Sequence, residues 1–182
     1  MELISIVTPC FNEESNIIKL CKIVKQVFNM LDGYQFEHII IDNYSSDNTR
    51  NLLREYAKKE KNIKLIFNSR NFGYIRSLHH AILETKGDGV IIIAADMQDP
   101  PDLIPVLLKR RREGYDSVLA VKKQSKENKL MFTVRKLYYK VIKMMSSEVL
   151  LVENFFGFGL YDRKVIECLR RIEDPNPYFR GL

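Results

Sequence analysis

Cysteine is scarce: the 182 residues contain three, Cys10, Cys21 and Cys168. The number is odd, and Cys10 and Cys21 fit no common zinc spacing, so neither a disulfide framework nor a zinc module is expected. All three read as free thiols in a reducing compartment. Long apolar runs are also missing. The most apolar stretch is Val90-Ile91-Ile92-Ile93-Ala94-Ala95, far short of the roughly 20 residues that a membrane-spanning helix needs. No secretory leader is expected, because Glu2 follows Met1 and Asn12-Glu13-Glu14 interrupts the first apolar stretch. Three chemical signatures are absent as well. There is no Gly-x-Gly-x-x-Gly after the first apolar run, which argues against a dinucleotide oxidoreductase. There is no phosphate-loop lysine motif and no His-Glu-x-x-His. His79 and His80 are adjacent on a helical segment, point different ways, and read as structural or surface residues.

What is present is an ordinary globular balance: 46% hydrophobic and 29% charged residues. The length suits one domain spanning 1–182. The net charge of +6 fits either a solvated basic surface or an anionic partner such as a nucleotide or lipid headgroup. No base-stacking aromatic pattern accompanies it, so nucleic acid is not an expected partner.

The first two thirds alternate between two textures. Short β-branched runs occur at 3–8, 38–42, 63–67 and 89–95, with a weaker one at 117–121. Their near-continuous apolar character is that of strands buried on both faces of a parallel sheet. Between them, apolar residues recur at helical spacing: Ile17, Leu20, Cys21, Val24, Val27, Phe28 and Leu31, then Leu52, Leu53 and Tyr56. Leu78, Ile82 and Leu83 follow, and then Leu103, Val106 and Leu107. The alternation predicts βαβ units with helices on both faces of the sheet. Asp99 before Pro100 reads as a helix cap, and 12–14 and 47–49 as polar helix starts. On such sheets ligands bind beyond the carboxyl ends of the strands, here the polar segments 8–13, 42–47, 68–73 and 96–99.

The texture changes after Val121. Residues 122–143 carry eight basic side chains and one acid, Glu127. Leu130, Val134, Leu137, Val141 and Met145 recur at helical spacing, with Lys129, Lys136, Lys140 and Lys143 on another face. The face from Lys129 to Lys143 suits either solvent or an anionic membrane surface. An apolar, glycine-bearing stretch follows at 155–161, and a last helix is expected over 163–171.

Four segments carry the chemistry: Pro9-Cys10-Phe11-Asn12-Glu13; Asp42-Asn43-Tyr44-Ser45-Ser46-Asp47-Asn48-Thr49; Arg70-Asn71-Phe72-Gly73; and Asp96-Met97-Gln98-Asp99-Pro100-Pro101. In this order, each after a successive strand, they resemble the family 2 glycosyltransferases of the GT-A fold. The similarity is greatest to the branch of dolichyl-phosphate mannose synthases and bacterial undecaprenyl-phosphate glycosyltransferases. Gly157-Phe158-Gly159-Leu160-Tyr161-Asp162-Arg163 and Phe179-Arg180-Gly181-Leu182 fit the same branch.

The resemblance implies an α/β, Rossmann-like, mostly parallel sheet and an inverting, metal-dependent transfer from a UDP- or GDP-sugar. The acceptor would be a polyprenyl phosphate or a cell-surface saccharide. The alternative is a non-catalytic nucleotide-sugar-binding module of the same fold. Asp96 and Gln98 are implied as ligands of Mg²⁺ or Mn²⁺; two apart in an extended segment, they would project to one side. The family's usual Asp two residues earlier is Ala94 here, which predicts weaker metal binding. Pro9, Phe11, Asn12, Glu13, Asp42, Asn43, Ser45, Asn71, Phe72, Gly73, Asp96 and Arg135 are implied in donor binding. Asp42 is expected to accept from the base and Arg135 to contact phosphate. Asn43 replaces a frequent second Asp, which bears on base preference. Relatives often carry Asp-Phe-Arg-Leu where this chain has Gly157-Phe158-Gly159-Leu160. Asp162, the nearest retained carboxylate, is therefore expected to assist the acceptor as a catalytic residue beside Asp96, its rival reading being a helix cap. A location on the cytoplasmic side, peripheral to the membrane, is implied. Relatives commonly continue past the Arg-Gly-Leu segment, so a C-terminus truncated relative to them is expected.

Overall fold

A computed structural model describes residues 1–121 and 155–172. Its elements are β1 (Glu2–Cys10), α1 (Ile17–Asn29), β2 (Tyr34–Asp42), α2 (Thr49–Ala57), β3 (Ile63–Phe67), α3 (Tyr74–Leu83) and β4 (Gly89–Ile92). A single 3-10 turn (Pro101–Leu103) leads into α4 (Ile104–Arg112), followed by β5 (Ser117–Val121), β6 (Phe155–Asp162) and α5 (Arg163–Arg171).

The six strands form one sheet in the order β3-β2-β1-β4-β6-β5. β1 pairs in parallel with β2 along its whole length and with β4 on its other side, and β2 pairs in parallel with β3. β6 runs antiparallel to both β4 and β5. The chain thus builds outward from β1 in one direction, then returns to its other side with β4. That reversal opens a crevice at the carboxyl ends of β1 and β4.

Alternation along the central strands sorts the core into two layers. Ile4 and Ile6 of β1 and Ile91 and Ile93 meet Leu20, Val24 and Phe28 of α1 and Leu107 and Leu108 of α4. Val7, Val90 and Ile92 face the other way, against Leu78, Ala81 and Ile82 of α3 and Ile166 and Leu169 of α5. Ile40, Ile17, Cys21 and Leu53 extend the first layer under α1 and α2. Each fully buried aliphatic side chain contributes about 1.5–3 kcal/mol, and this two-sided burial holds the strand ends in fixed relative positions.

Two expectations are corrected and one stretch gains an element. The stretch 155–161, which carried no assignment from sequence, is a strand inserted between β4 and β5. Gly159 follows from packing: a Cβ there would sit 2.8 Å from the Val118 carbonyl oxygen. Asp99 is not a helix cap. The 3-10 turn starts without a side-chain cap, and the Asp99 Oδ2 instead accepts from the Ala94 N–H at 3.1 Å, while the residue is buried. The segment bearing Asp96 is a turn rather than extended. Met97 has φ 62°, and the Asp96 Oδ1 accepts from the Gln98 N–H at 3.0 Å.

Candidate active site

The loops after β1 and β2 are stitched to each other. The Asn12 N–H donates to Ser45 Oγ at 2.8 Å, and the Asn12 Oδ1 accepts from the Ser46 N–H at 2.8 Å. The Glu13 N–H donates to Thr49 Oγ1 at 2.9 Å, and the Asn48 N–H donates to Glu14 Oε2 at 2.8 Å. Asn12 adopts φ 56°, a left-handed conformation that Asn tolerates better than most residues. Burial works to raise the Asp47 carboxyl, but the Thr49 hydroxyl and N–H and the Glu14 N–H hold it below the usual range. The two motifs therefore act first as a mutual clasp. Asn12 and Ser45 do not line the cleft described next.

That cleft lies over the β1/β4 crevice, with a volume of about 420 Å³. The end of β1 supplies Pro9, Cys10, Phe11 and Glu13; the loops after β2 and β3 supply Asn43, Asn71 and Gly73; α3 supplies Tyr74 and Ser77; Ala94, Ala95 and Asp96 close the far side. Phe11 is 46% exposed at the rim, offering a ring face to a planar group. Gly73 has φ 83°, a conformation that side chains other than glycine's rarely adopt, and it starts α3 at the cleft wall. Cys10 is buried against the floor. Burial first, then the Asp42 carboxylate, pushes its thiol far above the ordinary range, so it is not a nucleophile.

Asp42 does not reach the cleft. It is wholly buried; its Oδ2 accepts from the Ser45 N–H at 3.1 Å and pairs with Arg50 Nε at 3.3 Å. Its carboxylate holds the β2–α2 turn, and the structure does not bring it to the cleft wall where a base was expected to meet it. Asn43 lines the cleft, but its amide is internally engaged. Its Oδ1 accepts from Asn68 Nδ2, the Phe72 N–H and Ser77 Oγ at 3.1, 2.9 and 2.9 Å, and its Nδ2 donates to Asn71 Oδ1 at 2.7 Å. Phe72 faces a neighbouring cavity with Arg76 and His80, the Arg70 guanidinium 4.7 Å above its ring.

Asp162 is at the wrong end of the sheet. It pairs in register with Gly89, the first residue of β4. β4 ends at Ile92, and Asp96 lies in the turn beyond that opposite end. The Asp162 carboxylate caps α5 through the Lys164 N–H at 3.1 Å and accepts from Arg111 Nε at 2.8 Å. The catalytic expectation for Asp162 is therefore withdrawn. The antiparallel register places Gly157, not Asp162, near the cleft: Gly159 opposes Ile92, so Gly157 lies toward Ala94. Arg135 and the basic stretch from Lys129 to Lys143 lie outside the described residues.

Asp96 and Gln98 are both exposed. With Oδ1 held by Gln98, the Asp96 Oδ2 has no partner among the described residues. One carboxylate oxygen and one amide oxygen are hard donors that suit Mg²⁺ or Mn²⁺ when a diphosphate and waters complete the shell. No cluster of three or more His, Cys, Asp or Glu occurs among the described residues. The residues fit a cation shared with a ligand, not a cage built by the protein alone. Sequence reasoning missed Tyr74 and Ser77, whose three-residue spacing at the start of α3 puts both toward the strand ends.

Comparison with known proteins agrees with this architecture. An uncharacterized glycosyltransferase of Synechocystis sp. is 35% identical over 180 residues, covering 98% of this chain and 56% of its own length. A bactoprenol glucosyl transferase of Shigella phage SfX is 32% identical over 180 residues, covering 98% and 58%. The chain thus spans a little over half the length of these relatives. Among solved structures, a mannosyltransferase of Pyrobaculum calidifontis in complex with GDP-Man and Mn²⁺ superposes with TM-score 0.63 at 19% identity, over 91% of this chain and 46% of that one. Mannosyl-3-phosphoglycerate synthase of Rubrobacter xylanophilus superposes with TM-score 0.68 at 16% identity, over 90% and 54%. These two share the fold, which is GT-A. A profile described as glycosyl transferase family 2 matches residues 5–170, and the chain belongs to that family.

Proposed function

We propose that the chain is the catalytic domain of an inverting glycosyltransferase that takes a sugar from a UDP- or GDP-sugar and delivers it to a polyprenyl phosphate. The observation that carries this reading is the cleft itself. It runs from Phe11 and Asn71 to the exposed Asp96 carboxylate across the β1/β4 crevice, with room for a nucleotide at one end and a diphosphate at the other.

Phe11 and Pro9 offer apolar surface to the base, and the Asn12–Ser45 clasp holds that wall in place. Asp96 and Gln98 would hold the divalent cation, which when bound neutralises charge developing on the leaving diphosphate. Ala94 leaves that cation fewer protein oxygens, so its binding depends on the nucleotide.

The acceptor class is supported by what the described lining residues offer. Transfer to a sugar hydroxyl needs a positioned base within hydrogen-bond reach. Glu13 and Asp96 are the carboxylates among the described lining residues; Glu13 is engaged with Asn16 Nδ2 at 3.0 Å, and Asp96 is assigned to the cation. Gly157 stands where an acid is common in relatives. A phosphate acceptor is already ionised near neutral pH and needs no base. The bactoprenol glucosyl transferases among the relatives support the same class of acceptor. A peripheral position at an anionic membrane surface, with the basic face from Lys129 to Lys143 as its contact, belongs to this proposal. Among the described residues no helix is long and apolar enough to cross a membrane.

The test is a transfer assay with UDP- and GDP-sugars, Mn²⁺, and either a short-chain polyprenyl phosphate or the corresponding alcohol. Glycosyl phosphate formed from the phosphate alone supports the proposal. Binding of the nucleotide without transfer to any acceptor would instead favour a non-catalytic sugar-nucleotide module.

A further inference from the structure

The amide polarity of two asparagines is fixed by backbone groups, and it leaves one hydrogen-bond donor of a cleft-lining side chain without a partner among the described residues. Backbone N–H groups can only donate. The Phe72 N–H meets Asn43 at 2.9 Å, so the facing atom is Oδ1. The Gly73 N–H meets Asn71 at 2.9 Å, so that atom is also Oδ1. Asn43 then presents Nδ2 to Asn71 Oδ1 at 2.7 Å. The oxygen of Asn71 is used twice. Its Nδ2 has no partner among the described residues, and the side chain is exposed in the cleft wall.

The sheet order assigns this donor to one part of the ligand. The loops after β3, β2, β1 and β4 succeed one another across the cleft, so Asn71, Asn43, Cys10 and Asp96 lie in a row. A diphosphate at Asp96 puts the base beside Asn71.

We propose that Asn43 is a specificity-positioning residue: it locks Asn71 with Nδ2 outward, so that the site selects a base with a carbonyl oxygen at C4 of a pyrimidine or C6 of a purine over one with an amine at that position. The inference rests on the nucleotide-sugar reading and adds the device that reads the base. An Asp at position 43 reverses the device. Its carboxylate still accepts from Phe72, Asn68 and Ser77, but its second oxygen faces Asn71 Oδ1 at hydrogen-bond distance. Two acceptors repel, so the Asn71 amide turns over, donates inward and shows its oxygen to the cleft. The Gly73 N–H loses its acceptor in exchange.

The experiment is calorimetric titration of the full chain, at fixed Mn²⁺, with two matched pairs: UDP against CDP, and GDP against ADP. Within each pair the C4 of the pyrimidine or the C6 of the purine carries an oxygen in the first member and an amine in the second; the shift of each ratio between wild type and variant, rather than the ratio alone, reads that position. The wild type binds the carbonyl-bearing member of its preferred pair about tenfold or more tightly, since a mismatched partner leaves a polar group unpaired. Asn43→Asp brings that ratio to near unity or inverts it. Asn71→Asp keeps acceptors for Asn43 Nδ2 and Gly73 N–H and turns an oxygen outward, so it shifts the ratio the same way and decides the matter if Asn43→Asp does not fold. An unchanged ratio in a folded variant that still binds overturns the inference while leaving the nucleotide site intact. Equal wild-type affinity within each pair overturns it too. A folded wild type that binds none of the four overturns the nucleotide-sugar reading itself, and the inference with it.

Discussion

Asn12 and Ser45 join the first two loops of the site: the Asn12 N–H donates to Ser45 Oγ at 2.8 Å, while Asn12 Oδ1 accepts from the next residue's N–H, that of Ser46, at 2.8 Å. Asn12→Ala removes that acceptor and places an alanine at φ 56°. Together these cost about 2–3 kcal/mol. Asn12→Gly loses the acceptor without the strain, so it is destabilised by about 1 kcal/mol less. Urea unfolding of the three proteins measures the order wild type, Gly, Ala. Both variants also bind nucleotide more weakly, because the clasp fixes the wall that carries Phe11 and Glu13.

Asp162→Ala separates stability from catalysis. It removes a helix cap and an ion pair whose side chains are each 15% exposed, a loss of about 2–3 kcal/mol. Nucleotide affinity and turnover per folded molecule are unchanged. A selective loss of turnover with full stability would return Asp162 to the chemistry.

Stability falls with acid in two windows. His38 is fully buried, with Nε2 2.9 Å from Thr8 Oγ1, and burial pushes its pKa down to about 3 from 6.5. Between those values the unfolded chain binds the proton and the folded one does not. His38 therefore subtracts up to about 1.4 kcal/mol per pH unit as pH falls below 6.5. Glu37 acts lower. Burial works to raise its pKa, but Lys64, Ser5 and the Lys86 N–H hold it below the usual value. Its contribution is full above the unfolded carboxylate range and is lost as pH drops through the folded value. Denaturant unfolding between about pH 6 and pH 5 isolates His38: the slope flattens in His38→Gln and persists in Glu37→Gln.

Much of this was legible in the sequence because burial on two faces leaves a strong local mark. The runs at 3–8, 38–42 and 63–67 lie within β1, β2 and β3, and the expected helix at 163–171 has the observed bounds. β6 was not legible as a strand. Gly159 is there because β5 passes close to it, and strand order is a long-range property that no local period encodes. The site divides along the same line. The polar segments at strand ends were visible, and their order located the cleft. The surroundings of Asp42 and Asp162 were not legible, because a carboxylate reads alike in sequence whether it faces a ligand or is engaged by Ser45 and Arg50, or by Lys164 and Arg111.

Gly159→Ala tests the insertion of β6. The added Cβ would approach the Val118 carbonyl oxygen to 2.8 Å, closer than any relaxed contact, so the β5–β6 pair must separate. A loss of about 1–3 kcal/mol is expected, with faster amide exchange at Leu119 than at Ile6 in the sheet centre.

Asp96 organises the proposed nucleotide-sugar cleft at the β1/β4 crevice. Calorimetric titration of the chain and of Asp96→Ala with UDP- and GDP-sugars, with and without Mn²⁺, tests it most directly. Binding is expected to strengthen with Mn²⁺, and that strengthening to be lost in a variant that remains folded. Equal affinity in wild type and Asp96→Ala, or no binding of any nucleotide sugar by the folded wild type, would contradict it.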